Sequence, residues 1–178
     1  MYQINAKPPI YDQTAVQPMR DELTFVGFEE MLFPEDVEKN LSVEDDKIKL
    51  VFINSVCGCS AGSARPGVAL ALQHNKIPHQ LFTSFAGNDR DSVDLIREKY
   101  LANYNPTSPA IAIVKNKETI FYMGRPDIIG KSPEEIAKIL TKVFDSIDGV
   151  EGPSIISERY NQLVHAISCG SKIPLYNN

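Results

Sequence analysis

The stretch Lys49-Leu50-Val51-Phe52-Ile53-Asn54, continuing as Ser55-Val56-Cys57-Gly58-Cys59-Ser60, decides how this chain is read. A short apolar run of this kind is a buried strand. The small residues that follow, from Ser60 to about Asn75, read as a helix kinked at Pro66, because proline removes a backbone donor and clashes one turn back. Two cysteines therefore fall where a central strand ends and a helix begins. The first N–H groups of a helix lack intrahelical partners, and its dipole favours negative charge there. A thiolate is such a charge, and cysteines at helix N-termini have pKa values lowered to roughly 3.5–7.5. Gly58 tolerates the tight backbone that would let the two sulfurs meet. The ring so closed is small and strained, which makes the disulfide easy to reduce. The pair reads as a labile redox couple: Cys57, nearer the solvent-facing loop, attacks, and Cys59, further into the helix start and more shielded, resolves. The competing readings are two inert buried cysteines, or half of a soft-metal site. Cys169, His74, His79 and His165 remain as further ligands, and none pairs at zinc-ligand spacing.

Outward from this stretch, residues 1–15 read as an irregular arm with Pro8 and Pro9. A helix is expected from about Pro18 to Met31, with Met19, Leu23 and Val26 on its apolar face. Asp36 to Lys49 suggests a short helix and a loop. After Pro78, His79 to Phe85 reads as a second strand. Ala86 to Arg90 is a loop, and Asp91 is placed to cap a helix reaching Leu101. Asn105 to Pro109 turns the chain into a strand, Ala110 to Val114. Asn116-Lys117 returns it through Glu118 to Met123 as a hairpin. Ser132-Pro133-Glu134-Glu135 opens a helix, with Ser as N-cap and Glu at N3, and Ile136, Ile139, Leu140 and Val143 form its buried stripe. A parallel crossover followed by a hairpin and a helix gives an α/β fold with one mixed central sheet flanked by helices. This is the element order of a thioredoxin-like domain with an extra N-terminal helix. That domain is expected over 1–148. Gly149 to Pro153 is a linker into a C-terminal extension, 149–178. There Ile156, Tyr160, Leu163, Val164 and Ile167 are spaced as an amphipathic helix that either packs back on the domain or meets a partner.

The chain has 178 residues, 43% of them hydrophobic, and a net charge of −5, which suits one globular unit and not a basic nucleic-acid-binding surface. No apolar run approaches the roughly 20 residues of a membrane helix. Met1 to Arg20 is polar and lacks an apolar signal core, so a cytoplasmic protein is expected. Three cysteines are too few for a disulfide-stapled secreted scaffold. Arg65, one to two turns into the helix, reads either as an electrostatic influence on the thiolate or as a solvated surface residue. Cys169 reads as a bystander that could in principle resolve a Cys57 adduct. His74 and His79 are assigned no chemistry. Ser108-Pro109 stands directly before a central strand, where proline is allowed and where the X–Pro bond can be cis or trans.

Asn54-Ser55-Val56-Cys57-Gly58-Cys59-Ser60-Ala61-Gly62 with Ala64-Arg65-Pro66 resembles the signature of the bacilliredoxin family. Phe85-Ala86-Gly87-Asn88-Asp89, Ser108-Pro109-Ala110, and Pro18 to Thr24 with Gly27-Phe28-Glu29-Glu30 are similar to its other recurring segments. The resemblance spans about residues 10 to 147. It implies a thioredoxin-like fold in which Ser108 and a cis Pro109 lie beside the cysteines and help position substrate. It also implies removal of bacillithiol from protein mixed disulfides, with Cys57 taking the adduct and Cys59 or free bacillithiol releasing it. No tightly bound cofactor is implied. Bacillithiol is the thiol co-substrate, and the partners are bacillithiolated or disulfide-containing client proteins. A general disulfide reductase or isomerase, or a soft-metal-binding protein, remains the alternative. Members of this family can carry a further cysteine after the helix ending near Phe144, where this chain has Asp145-Ser146-Ile147-Asp148.

Overall fold

The computed structural model describes residues 6–177, so the first five residues of the expected N-terminal arm and the last residue of the extension lie outside the described residues. In chain order the elements are α1 (Gln13–Phe25), β1 (Glu29–Glu30), α2 (Pro34–Leu41), β2 (Lys49–Asn54), α3 (Arg65–Ala71), β3 (Lys76–Ile77), β4 (Gln80–Phe85), α4 (Arg90–Lys99), β5 (Ala110–Lys115), β6 (Glu118–Met123), α5 (Arg125–Ile128), α6 (Pro133–Ser146), β7 (Val150–Glu151) and α7 (Ser157–Tyr160). Five strands form one mixed sheet in the order β1-β4-β2-β5-β6. β2 runs parallel to β4 and antiparallel to β5, and β5 pairs antiparallel with β6. This is the mixed, helix-flanked sheet expected of a thioredoxin-like domain.

β2 is the central strand and every one of its residues is buried. Side chains alternate across a strand, so Leu50 and Phe52 enter one core and Val51 and Ile53 the other. The first core is covered by α3 and α6 through Val68, Leu72, Ile136, Leu140 and Phe144. The second is covered by α2 and α4 through Val37, Leu41, Val93 and Ile96. Each such fully buried side chain contributes roughly 1.5–3 kcal/mol. α3 and α6 approach so closely that a Cβ on Gly67 would lie 2.6 Å from the Ile136 Cβ. The β5–β6 turn has Asn116 and Lys117 at φ 47° and 70°, the primed-turn geometry that matches strand twist. The expected capping box of α6 is present: Ser132 Oγ accepts from the Glu135 N–H, and the Glu135 carboxylate accepts from the Ser132 N–H.

Several expected boundaries move. α1 begins five residues before Pro18, because the Asp12 carboxylate accepts from the Ala15 N–H at 2.9 Å and starts the helix there. It ends at Phe25 instead of continuing to Met31, since Gly27 adopts φ 108° and turns the chain away. Met19, Leu23 and Val26 are buried as expected. α4 is entered from Asp89, not Asp91, because Asp89 sits at the N-cap position while its carboxylate holds Arg20 and the Phe85 N–H.

The amphipathic helix expected over 156–167 does not form. Only Ser157–Tyr160 is helical, and Val164 and Ile167 are 80% and 83% exposed. The reason is competition for the backbone. The Ser154 N–H donates to Leu72 O, Ala166 N–H to Glu22, Gly170 N–H to Val56 O and Tyr176 N–H to Ile10 O. Bonds spent on the domain cannot close helical turns. The segment does lie back on the domain, as an irregular strap: β7 pairs with β3, and Ile173 is buried among Val16, Met19, Val56 and Phe85 beneath the end of β2. Among the described residues, no helix is long and apolar enough to cross a membrane.

Candidate active site

The strand β2 delivers Ser55, Val56 and Cys57 to a helix start. The N–H groups of Ser60 and Ala61 donate to the Cys57 carbonyl at 3.0 and 3.1 Å, so Cys57 occupies the N-cap, Gly58 the first helical position and Cys59 the second. An N-cap side chain normally supplies an oxygen acceptor to the third helical N–H. Here the acceptor is sulfur: the Ser60 N–H donates to Cys57 Sγ at 3.3 Å. The Ser55 hydroxyl donates to the same sulfur at 3.3 Å. Burial pushes the Cys57 thiol up, but hydrogen bonds from the Cys59 thiol, the Ser55 hydroxyl and the Ser60 and Cys59 N–H groups outweigh it and hold Cys57 below the ordinary cysteine value. Cys59 moves the other way, to about 11, through burial, then its hydrogen bond to Cys57 and the Cys57 charge, against a smaller opposing pull from Arg125. Both thiols are free and half-buried. Cys59 packs against the first core while Cys57 lines a surface pocket, so the expected difference in access is one of direction more than of depth.

Gly58 is exposed and its φ lies outside the left-handed region. An added Cβ would touch only Cys169 Sγ, at 3.7 Å. In the dithiol form Gly58 opens a right-handed helix, and the tight bend expected on closing the disulfide belongs to the oxidised state. The irregularity expected at Pro66 is a π-turn over Ser60–Ala64, with the Arg65 N–H reaching back to Ser60 O. Such single π-turns recur at functional sites.

Arg65 is not a surface residue. It is fully buried, and its Nε lies 2.7 Å from the equally buried Glu22 carboxylate. Its Nη1 donates to Asn54 Oδ1, Ser55 O and Ser60 Oγ at 3.0–3.1 Å, and Nη2 to Ala166 O at 2.8 Å. Arg65 thus grips the two serines that face Cys57 instead of facing the sulfur itself. Asn54 completes the turn, its Oδ1 accepting from Ser55 N–H and Ser60 Oγ and its Nδ2 donating to Met19 O.

The Ser108–Pro109 bond is cis, and Ser108 lines the same pocket as Cys57 together with Tyr11, Gly87 and Arg125. The pocket measures about 340 Å³. Cys169 lies against Gly58 on the strap. His74 contacts Asp145 at the end of α6, and His79 accepts from the Ile48 N–H, both away from the thiols. Among the described residues, no three His, Cys, Asp or Glu side chains gather as metal ligands. Sequence reasoning missed Ser55, Ser60, Glu22 and Arg125. The two serines flank the thiol pair and carried a readable signal, since hydroxyls beside a helix-start thiolate are its natural donors. Glu22 and Arg125 carried none, being brought in from distant elements.

A capped, low-pKa thiol beside a second thiol on the edge of an open pocket defines the class: a thiol–disulfide exchange protein. The comparisons place it more closely. A family described as Disulphide isomerase matches residues 11–147. The bacilliredoxin of Halalkalibacterium halodurans is 42% identical over 135 residues, covering 76% of this chain and 92% of that protein. A bacilliredoxin of Cytophaga hutchinsonii is 42% identical over 138 residues, covering 78% and 100%. One from Geobacillus kaustophilus is 41% identical over 140 residues, covering 78% and 95%. The chain belongs to this bacilliredoxin, or disulphide isomerase, family.

Proposed function

We propose that this protein strips bacillithiol from mixed disulfides on client proteins. The Cys57 thiolate attacks the bacillithiol sulfur of the client's mixed disulfide. The S–S bond breaks, the electron pair leaves with the client thiolate, and a Cys57–bacillithiol disulfide forms. Cys59 then attacks Cys57 Sγ, expels bacillithiol as its thiolate and closes the Cys57–Cys59 disulfide. Two molecules of a low-molecular-weight thiol, bacillithiol itself in this reading, reduce that disulfide in turn: the first forms a mixed disulfide with one cysteine, the second attacks the bacillithiol sulfur of that mixed disulfide, and the two leave as bacillithiol disulfide with both cysteines restored as thiols. The observation that carries the reading is the cradle at Cys57: two donors and a neighbouring thiol converge on one sulfur. The same arrangement orders the steps. Burial and the Cys57 thiolate keep Cys59 protonated in the resting state. Once Cys57 is tied up in a mixed disulfide its charge is gone, while Arg125 still favours a Cys59 thiolate. Burial still opposes ionisation, but with the Cys57 charge and hydrogen bond gone Cys59 ionises more readily when there is an adduct to resolve. Gly58 leaves the backbone free to bend as the ring closes, and Ser108, preceding the cis Pro109, lines the pocket into which a client would enter. A cytoplasmic location suits a reaction that consumes reduced thiols.

The test compares one client protein capped with bacillithiol, with glutathione, or with its own internal disulfide. Release of bacillithiol at a kcat/KM at least tenfold above the other two substrates is the expected result. Equal rates on all three substrates would replace this reading with a general disulfide reductase or isomerase.

A further inference from the structure

The C-terminal strap lies outside the residues that the family covers, yet it closes the site. Glu22 and Arg65 are both fully shielded from solvent, and neither is complete without the strap. One Glu22 oxygen takes Arg65 Nε at 2.7 Å and the Ala166 N–H at 3.1 Å. The other takes His165 Nδ1 at 2.7 Å. Arg65 Nη2 finds its acceptor in Ala166 O at 2.8 Å. Residue 166 thus donates to the carboxylate and accepts from the guanidinium, joining both halves of the pair with a single backbone unit. A buried ion pair whose remaining donors and acceptors are satisfied holds one geometry, whereas an unsatisfied one is driven to rearrange or admit water. The geometry held here is that of the thiol cradle, because Arg65 Nη1 fixes Ser55 O and Ser60 Oγ while Ser55 Oγ and Ser60 N–H point at Cys57. A second tie, Gly170 N–H to Val56 O at 2.7 Å, pins the strap to the residue preceding Cys57.

We propose that the strap is a working part of the exchange site: through His165 and Ala166 it locks the buried Glu22–Arg65 pair, and Glu22 and Arg65 are positioning residues that hold Ser55 and Ser60 on the Cys57 sulfur. The proposal rests on Cys57 being the attacking thiol. It makes thiol reactivity depend on residues more than one hundred positions away in sequence and on a segment beyond residues 11–147, which the family match covers.

The experiment measures iodoacetamide alkylation of Cys57 across pH 5–10 in the full-length chain, located by peptide fragmentation, with a thermal melt on each variant. Ala166→Pro removes the N–H that reaches Glu22. Glu22→Leu/Arg65→Leu replaces the pair with apolar side chains, a change that buried pairs often tolerate. Both variants are expected to melt cooperatively, to alkylate Cys57 at least threefold more slowly at pH 6–7, and to show the rise of the rate displaced to higher pH. His165→Gln, which keeps a donor for Glu22, is expected to retain most of the wild-type rate. Cooperative melting with an unchanged rate and pH profile in Ala166→Pro and in the double variant would overturn the proposal and leave the reading of Cys57 intact. A wild-type protein in which Cys57 reacts no faster than Cys59 would overturn that reading and the proposal with it.

Discussion

Ser55→Ala removes one of the donors on Cys57, together with the weak acceptor of the Cys57 N–H, and nothing from the hydrophobic core. A hydrogen bond to a charged group contributes about 1.5–3 kcal/mol. Cys57 is only half-buried and the Ser55 Oγ–Sγ separation is 3.3 Å, so screening and length reduce this to about 1 kcal/mol. At about 1.4 kcal/mol per factor of ten, the thiolate population below the Cys57 pKa falls about fivefold. The sign follows from the direction of the shift. The native donors lower the pKa, so their loss raises it, and the variant is slower at acidic and neutral pH. Above both pKa values every molecule is thiolate, and a more basic thiolate is intrinsically more nucleophilic, with a Brønsted slope of about 0.4–0.5. The variant should therefore be about twofold faster on the alkaline plateau. Stopped-flow alkylation across pH gives both limbs. Crossing profiles are the expected result. A variant slower by the same factor at every pH would point to general damage and would refute the cradle as the source of Cys57 reactivity.

Other outcomes follow from the same geometry. At pH 7, limited iodoacetamide should label Cys57 and spare Cys59, because a thiol at about 11 ionises only as the pH rises towards that value; comparable labelling of both would contradict the opposed shifts. Gly67→Ala should destabilise the fold by roughly 1–3 kcal/mol in urea unfolding, since the new methyl meets Ile136 at 2.6 Å; an unchanged midpoint would mean that α3 and α6 are looser than described. Gly58→Ala should fold without loss and gain up to about 1 kcal/mol in the dithiol form, because its Cβ meets only Cys169 at 3.7 Å and the backbone is already right-handed; destabilisation would mean that the helix start is tighter than described. Cys169→Ser should leave turnover unchanged, as Cys59 is the thiol bonded to Cys57, and a loss would hand the resolving step to Cys169.

The central architecture was legible because its signals are local. Leu50 to Ile53 is an unbroken apolar run, Asn116-Lys117 is a turn between two strand patterns, and Ser132 with Glu135 is a reciprocal cap. The thiol pair was legible for the same reason, since strand end, glycine and helix start are contiguous. The failures involve competition across the fold. The 156–167 periodicity is real, but Glu22, Val56 and Leu72 offer the strap backbone better partners than its own next turn does. Arg65 stayed open between an influence on the thiolate and a surface residue because nothing within its helix reveals Glu22, 43 positions earlier, or Ala166, 101 positions later. Asp91 was the expected cap, and the helix instead starts from Asp89, which Arg20 holds from another helix, a contact that no local pattern reveals.

The most direct measurement is mass spectrometry of the Cys59→Ser protein after reaction with a bacillithiolated client, with Cys57→Ser beside it. The account predicts a freed client and a stable bacillithiol adduct on Cys57 in Cys59→Ser, and neither in Cys57→Ser. An adduct that forms equally in Cys57→Ser, carried by Cys59, would contradict the assignment of Cys57 as the attacking thiol.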